Sequence, residues 1–256
     1  MIEHRTDVPR TYRVVAGALR PIFRAATRYE VSGTEHVPAS GGFIVTPNHV
    51  SHIDPFPWAH VLYLRGIAPV FLAKSELFQT PVVGQVMRGA QQVPVYRESR
   101  RAVDALRDAV TALEQGRCVA VYPEGSLTRD PQLWPMRGKS GAARLALQSG
   151  APVIPIATWG AQELLPPYAR VPRLHRRHRV QIRFGPPVDL TDLAARPDER
   201  HVAAEATDRI MAAITAELEQ LRGEPAPAQR HDPSTHGQQV TGNYRRAPRT
   251  RPGGHP

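Results

Sequence analysis

The chain has 256 residues, 41% of them hydrophobic, which suffices for one substantial packed domain and falls short of two. Its 33 basic and 23 acidic residues leave a formal charge of +10, pointing to an anionic partner: nucleic acid, an anionic lipid surface or a phosphorylated substrate. A single cysteine, Cys118, excludes an intramolecular disulfide framework, and no run approaches the roughly 20 apolar residues of a transmembrane helix.

Residues 1–30 place Tyr12, Val15, Leu19, Ile22, Phe23 and Ala26 three and four apart, with Arg13, Arg20, Arg24 and Arg28 between them. This spacing predicts a basic amphipathic helical segment, kinked or divided at Pro21. Such a helix suits contact with an anionic membrane, or packing on the domain with its arginines solvated. It lacks the continuous apolar core of a signal peptide, so the expectation is a peripheral protein at the cytoplasmic face of the cell membrane.

Residues 31–222 alternate strand-like and helical runs. Strands are expected at Phe43 to Thr46, Ala68 to Leu72, Val93 to Tyr96, Cys118 to Tyr122, Val153 to Ala157 and Val180 to Phe184. Helices are expected at Arg101 to Gln115, Gly141 to Ser149 and His201 to Leu221, the first two closed by Gly116 and Gly150. The fold class is therefore α/β, with a mixed, largely parallel sheet flanked by helices. Residues 223–256 are rich in Pro, Gly, Gln, Arg and His and are expected to form a disordered basic tail.

The chemistry concentrates at two strand ends. After the first strand comes Asn48-His49-Val50-Ser51-His52-Ile53-Asp54. If the chain turns into a helix here, Asp54 can accept from one imidazole nitrogen of His49 and leave the other as a base. On the residues alone, Asp54 could equally cap a helix while His49 makes a polar core contact. Spacings of three and two keep His49, His52 and Asp54 off one helical face, so no metal site is expected, and Ser51 lacks the glycine-flanked turn of a hydrolase nucleophile.

The second segment is Tyr122-Pro123-Glu124-Gly125-Ser126-Leu127-Thr128-Arg129-Asp130. Gly125 permits close backbone approach, Ser126 offers a donor, and Arg129 offers a cation for a phosphate. Arg170 to Arg179 form the densest positive run of the core, available to anionic lipid, to the phosphates of a coenzyme or to an acidic carrier protein. Few aromatics are interleaved for base stacking, and nucleic acid is not expected as a partner.

Taken in order, these motifs resemble the glycerolipid acyltransferase family, the PlsC-type 1-acyl-glycerol-3-phosphate acyltransferases. The block from His49 to Asp54 looks like the family's His-(four residues)-Asp motif. Lys74-Ser75-Glu76-Leu77 through Tyr96-Arg97 resembles its second block, Pro123-Glu124-Gly125-Ser126 its third, and Val153-Ile154-Pro155-Ile156 its fourth. The resemblance spans about residues 31–188. It implies acyl transfer from acyl-CoA or acyl carrier protein to the free hydroxyl of a lysophospholipid in phospholipid biosynthesis, without cofactor or metal. By that resemblance His49 is the base and Asp54 orients it. Arg97, Glu124, Gly125 and Ser126 would shape the acceptor site, with Lys74 as a phosphate contact. Where the family's third block carries arginine, this chain has Leu127; Arg129, or Lys139 reaching in from a later loop, would then supply the cation. That departure leaves room for another acceptor (a different lysophospholipid, glycerol-3-phosphate or a glycolipid) and, further off, for a non-catalytic basic membrane-binding protein.

Overall fold

A computed structural model describes residues 8–95, 102–196 and 201–238. Seven strands form one sheet: β1 (Thr27–Ser32), β2 (Phe43–Pro47), β3 (Val70–Lys74), β4 (Val93–Val95), β5 (Cys118–Ala120), β6 (Val153–Trp159) and β7 (His178–Phe184). Their order is β1-β7-β6-β2-β5-β3-β4, and every pairing is parallel except the antiparallel β6–β7. Nine α-helices are described: α1 (Arg10–Ala26), α2 (Pro55–Leu64), α3 (Ser75–Gln79), α4 (Val83–Gly89), α5 (Ala102–Glu114), α6 (Gly141–Ser149), α7 (Ala161–Leu164), α8 (Thr191–Ala194) and α9 (Val202–Arg222). This is the expected mixed, mostly parallel sheet with helices on its faces. No helix among the described residues is long and apolar enough to cross a membrane.

Side-chain alternation builds a core on each face of the sheet. Phe43 and Val45 of β2 join Trp58 and Leu62 of α2 on one side, while Ile44 points to the other among Ala109, Leu145 and Ile210 of α5, α6 and α9. Because β2, β5 and β3 run parallel, the loops after them leave from one edge of the sheet, where an open parallel sheet commonly binds its ligand.

Several expectations need correction. The N-terminal helix stops at Ala26, and Thr27–Ser32 pair with His178–Arg183 as an edge strand, so the expected boundary at residue 31 falls inside β1. Its mixed exposed and half-buried pattern has no clean alternation to announce it. Pro21 lies within an unbroken α1. The turn into a helix at Asp54 is borne out by α2, whereas α3 and α4 were not foreseen.

The tail is also more ordered than its composition suggests. Gly223 closes α9 in a left-handed conformation, with its N–H donating to Glu219 O at 2.8 Å. The Arg222 guanidinium lies between Trp134 and Trp159, 3.9 and 4.3 Å from their ring centres. Arg137 Nη1 pairs with Asp232 Oδ2 at 2.8 Å, and Arg137 N donates to His231 O at 2.9 Å. Residues 223–238 thus gain order from partners elsewhere in the chain, which a composition window does not see. Residues 239–256 lie outside the described residues.

Candidate active site

The loop after β2 is pinned before it reaches the imidazole. Asn48 donates through Nδ2 to Thr158 O at 3.1 Å and accepts Thr158 N–H at 2.8 Å, tying it to β6. The chain then turns tightly. Asp54 Oδ2 accepts the backbone N–H groups of Val50 and Ser51 at 2.7 and 2.9 Å. Asp54 sits at the N-cap position of α2, ahead of Pro55, yet makes no capping bond to that helix. Its carboxylate turns back to His49, whose Nδ1 lies 3.0 Å from Oδ1 and 3.1 Å from Oδ2. Between capping and pairing, the geometry selects pairing.

Asp54 is fully buried, and the His49 side chain is 17% exposed. An ionised carboxylate receiving Nδ1–H leaves Nε2 with its lone pair, the form in which imidazole takes a proton. Ser51 is committed elsewhere: its hydroxyl donates to Leu165 O at 2.7 Å. His52 stands beside the pair, edge-on to Tyr168 with ring centres 6.2 Å apart. Burial lowers its pKa, and the charge of His49 adds to that effect. Among the described residues, no group of three His, Cys, Asp or Glu converges to hold a metal ion.

The loop after β5 meets the first one. Thr128 N donates to His49 O at 2.8 Å. Glu124 is 1% exposed; its Oε1 accepts His49 N–H at 3.0 Å and its Oε2 accepts Met136 N–H at 3.0 Å. The resemblance placed Glu124 on the acceptor. Here its carboxylate clamps the histidine loop to the 134–138 segment. Burial raises its pKa to about 8, while the Met136 and His49 amides pull it down.

Gly125 has a φ of +68°, which glycine adopts without strain, and a Cβ there would lie 3.2 Å from Lys139 Cδ and Nζ. Lys139 N donates to Pro123 O at 2.8 Å, so the two segments are registered by backbone as well. Of the two expected cations, Lys139 is exposed at this loop, while Arg129 is buried at 1% exposure. Leu127 is buried and anchors the loop. The half-buried Ser126 directs its hydroxyl to Leu127 O at 3.3 Å. Lys74 is exposed at the N-cap of α3, with its charge acting on His52. Arg97 lies outside the described residues.

Two features were not expected. Tyr122, read as the end of a strand, donates its hydroxyl to Asp54 Oδ1 at 3.0 Å, accepts Trp58 Nε1–H at 3.2 Å, and sets its ring 4.2 Å from the His49 ring. A phenol beside a motif must find a polar partner when buried, and that was the available signal. The second feature is an apolar cavity of about 510 Å³ between α1, α2, α4 and β3, reaching His49 and His52. Tyr12, Leu19 and Phe23 line it from α1, Phe56 and Tyr63 from α2, and Met87 from α4. The stacked pair Tyr12–Tyr63 and the tilted pair Phe23–Phe56, with ring centres 5.8 and 5.4 Å apart, hold α1 over α2. The His49 imidazole therefore stands where a greasy chamber meets a polar loop carrying an ammonium group.

Comparison with known proteins places the chain among acyltransferases. A model of the family described as Acyltransferase matches residues 28–159. The 1-acyl-sn-glycerol-3-phosphate acyltransferase of Bacillus subtilis (strain 168) is 28% identical over 216 residues, 82% of this chain and 100% of that protein. The chloroplastic 1-acyl-sn-glycerol-3-phosphate acyltransferase BAT2 of Brassica napus is 31% identical over 54% of this chain and 39% of its own length. Among solved structures, the 1-acyl-sn-glycerophosphate (LPA) acyltransferase PlsC of Thermotoga maritima superposes with a TM-score of 0.63 at 27% identity, covering 84% of this chain and 81% of that one.

Proposed function

This chain belongs to the acyltransferase family, and we propose that it moves a fatty acyl group from acyl-CoA or acyl carrier protein to the free hydroxyl of 1-acyl-glycerol-3-phosphate. The observation that carries this reading is the His49–Asp54 pair opening on an apolar cavity. His49 Nε2 takes the hydroxyl proton as the acceptor oxygen attacks the thioester carbonyl. The tetrahedral intermediate collapses, the thiolate leaves, and the imidazolium returns the proton to it. Asp54 stabilises the imidazolium during that interval. No covalent acyl-enzyme, metal or cofactor takes part. The cavity houses an acyl chain, and Lys139 beside Gly125 meets the acceptor phosphate.

In this reading the protein works peripherally on the anionic cytoplasmic face of the cell membrane. Val14 and Ile22 of α1, Leu64 of α2 and Val82 before α4 stand 56–70% exposed on elements that wall the cavity. The loop 166–177 adds exposed Val171 and Leu174 among Arg170, Arg173 and Arg176. Arg177 Nη2 ties this loop to the end of α1 through Thr27 O at 3.1 Å. Apolar residues interspersed with arginines suit the headgroup boundary.

A second reading keeps the reaction and changes the acceptor. Leu127 and Arg129 are both buried, so the third-block cation of the family is supplied differently here. Mass spectrometry of products from a panel of lysolipids and glycerol-3-phosphate, with either donor, separates the two. Phosphatidic acid as the dominant product is expected. Preferential acylation of an acceptor without a phosphomonoester overturns the first reading and supports the second.

A further inference from the structure

Tyr122 touches both members of the proton-transfer pair and has a fixed direction of hydrogen bonding. An indole N–H can only donate, so Trp58 Nε1 donates to Tyr122 Oη, and the phenol donates onward to Asp54 Oδ1. Oδ1 is also 3.0 Å from His49 Nδ1, so one carboxylate oxygen is shared between phenol and imidazole. The Tyr122 ring lies against the imidazole at 4.2 Å and 37°. Trp58 is fully buried and belongs to α2, the helix that begins next to Asp54. Burial, with the Asp54 charge next in effect, holds the phenol in its neutral, donating form.

Each donor that Oδ1 accepts draws electron density from the other. On the reading that His49 is the base, we propose that Tyr122 is a positioning residue: its ring fixes the imidazole plane, and its hydroxyl, polarised by Trp58, moderates how strongly Asp54 holds Nδ1–H. A tyrosine serving only as core filling would have neither effect.

Besides Tyr122, the charged and titratable groups around His49 among the described residues are Asp54, Glu124 and His52, with Lys74 acting on His52. Tyr122→Phe leaves all of them in place and deletes one neutral donor, so a change in the pair reports on the hydroxyl. The experiment follows the His49 Nδ1 proton by NMR in the full-length protein without substrate, assigned by its disappearance in His49→Ala. In Tyr122→Phe this resonance is expected to move downfield as the Asp54 bond tightens. In the acyl-transfer assay the acid limb of kcat should move up by about half a pH unit, with the acceptor KM unchanged.

A resonance that stays in place or moves upfield overturns the proposal, whatever the activity. If the wild type transfers no acyl group, the functional reading fails while the resonance still decides the role of Tyr122. Trp58→Phe is the second variant, and it decides alone should Tyr122→Phe not fold. It should give a smaller displacement in the same direction, and no further displacement when combined with Tyr122→Phe. No displacement in Trp58→Phe, or a further one in the double variant, breaks the relay.

Discussion

Asp54 holds together more of the site than an orienting partner needs to. Its two oxygens take the backbone of Val50 and Ser51, the His49 ring and the Tyr122 hydroxyl. Glu124 performs the matching task from the other loop, holding the His49 amide at one oxygen and the Met136 amide at the other. The raised carboxyl of Glu124 makes this clamp pH-dependent. Between the ordinary value of 4.5 and about 8, the folded protein holds a proton that the unfolded chain has released. Its contribution to stability is therefore full below about 4.5 and is lost as pH rises through 8. Glu124→Gln should flatten that window in a series of denaturant midpoints measured against pH. A variant that keeps the wild-type slope would show that another group carries it. The pairing of His49 with Asp54 was legible in the sequence because it depends on a short local spacing. Tyr122 was not, because its partners, Asp54 and Trp58, are 68 and 64 residues away.

At the scale of elements, the cavity depends on four pieces that the sequence revealed unequally. The helix α1 shows its apolar stripe plainly, and α6 falls at its expected bounds of Gly141 and Ser149. By contrast α2 is apolar nearly all round and opens with two prolines, while α3 and α4 have only five and seven residues, too few for a periodicity to register. The strands were easier, since β2, β5 and β6 are continuous buried runs. If the cavity holds the acyl chain, filling it from α1 should shorten the chain it accepts. Ala16 lines it from the helix, and Ala16→Leu suits that helix by propensity. Each methylene left outside forfeits about 0.8 kcal/mol of burial, so the donor preference should move to shorter chains, with little effect on the shortest donors. Competition between donors of graded length reads this out. An unchanged length profile would place the chain elsewhere.

For the whole molecule, the charge of +10 acts as a field as well as a set of contacts. In the proposed orientation, α1 and the loop 166–177 face the bilayer together, joined through Arg177 and Thr27. Flotation with anionic vesicles should therefore weaken as salt rises toward 1 M, where the screening length falls to about 3 Å. Exchanging Val171 and Leu174 for aspartate should weaken it further at low salt. Binding indifferent to salt and to those substitutions would remove the loop from the membrane face.

The proposed reaction stands on His49 as the proton acceptor, held by Asp54 at the mouth of an apolar chamber. Single-turnover transfer from a saturating acyl thioester to lysophosphatidic acid, compared between wild type and a folded His49→Ala, tests it most directly. A loss of at least about 100-fold in the chemical step is expected, the scale of a positioned general base. Rates within about twofold of each other would contradict it, since a step that needs the imidazole loses that whole factor without it.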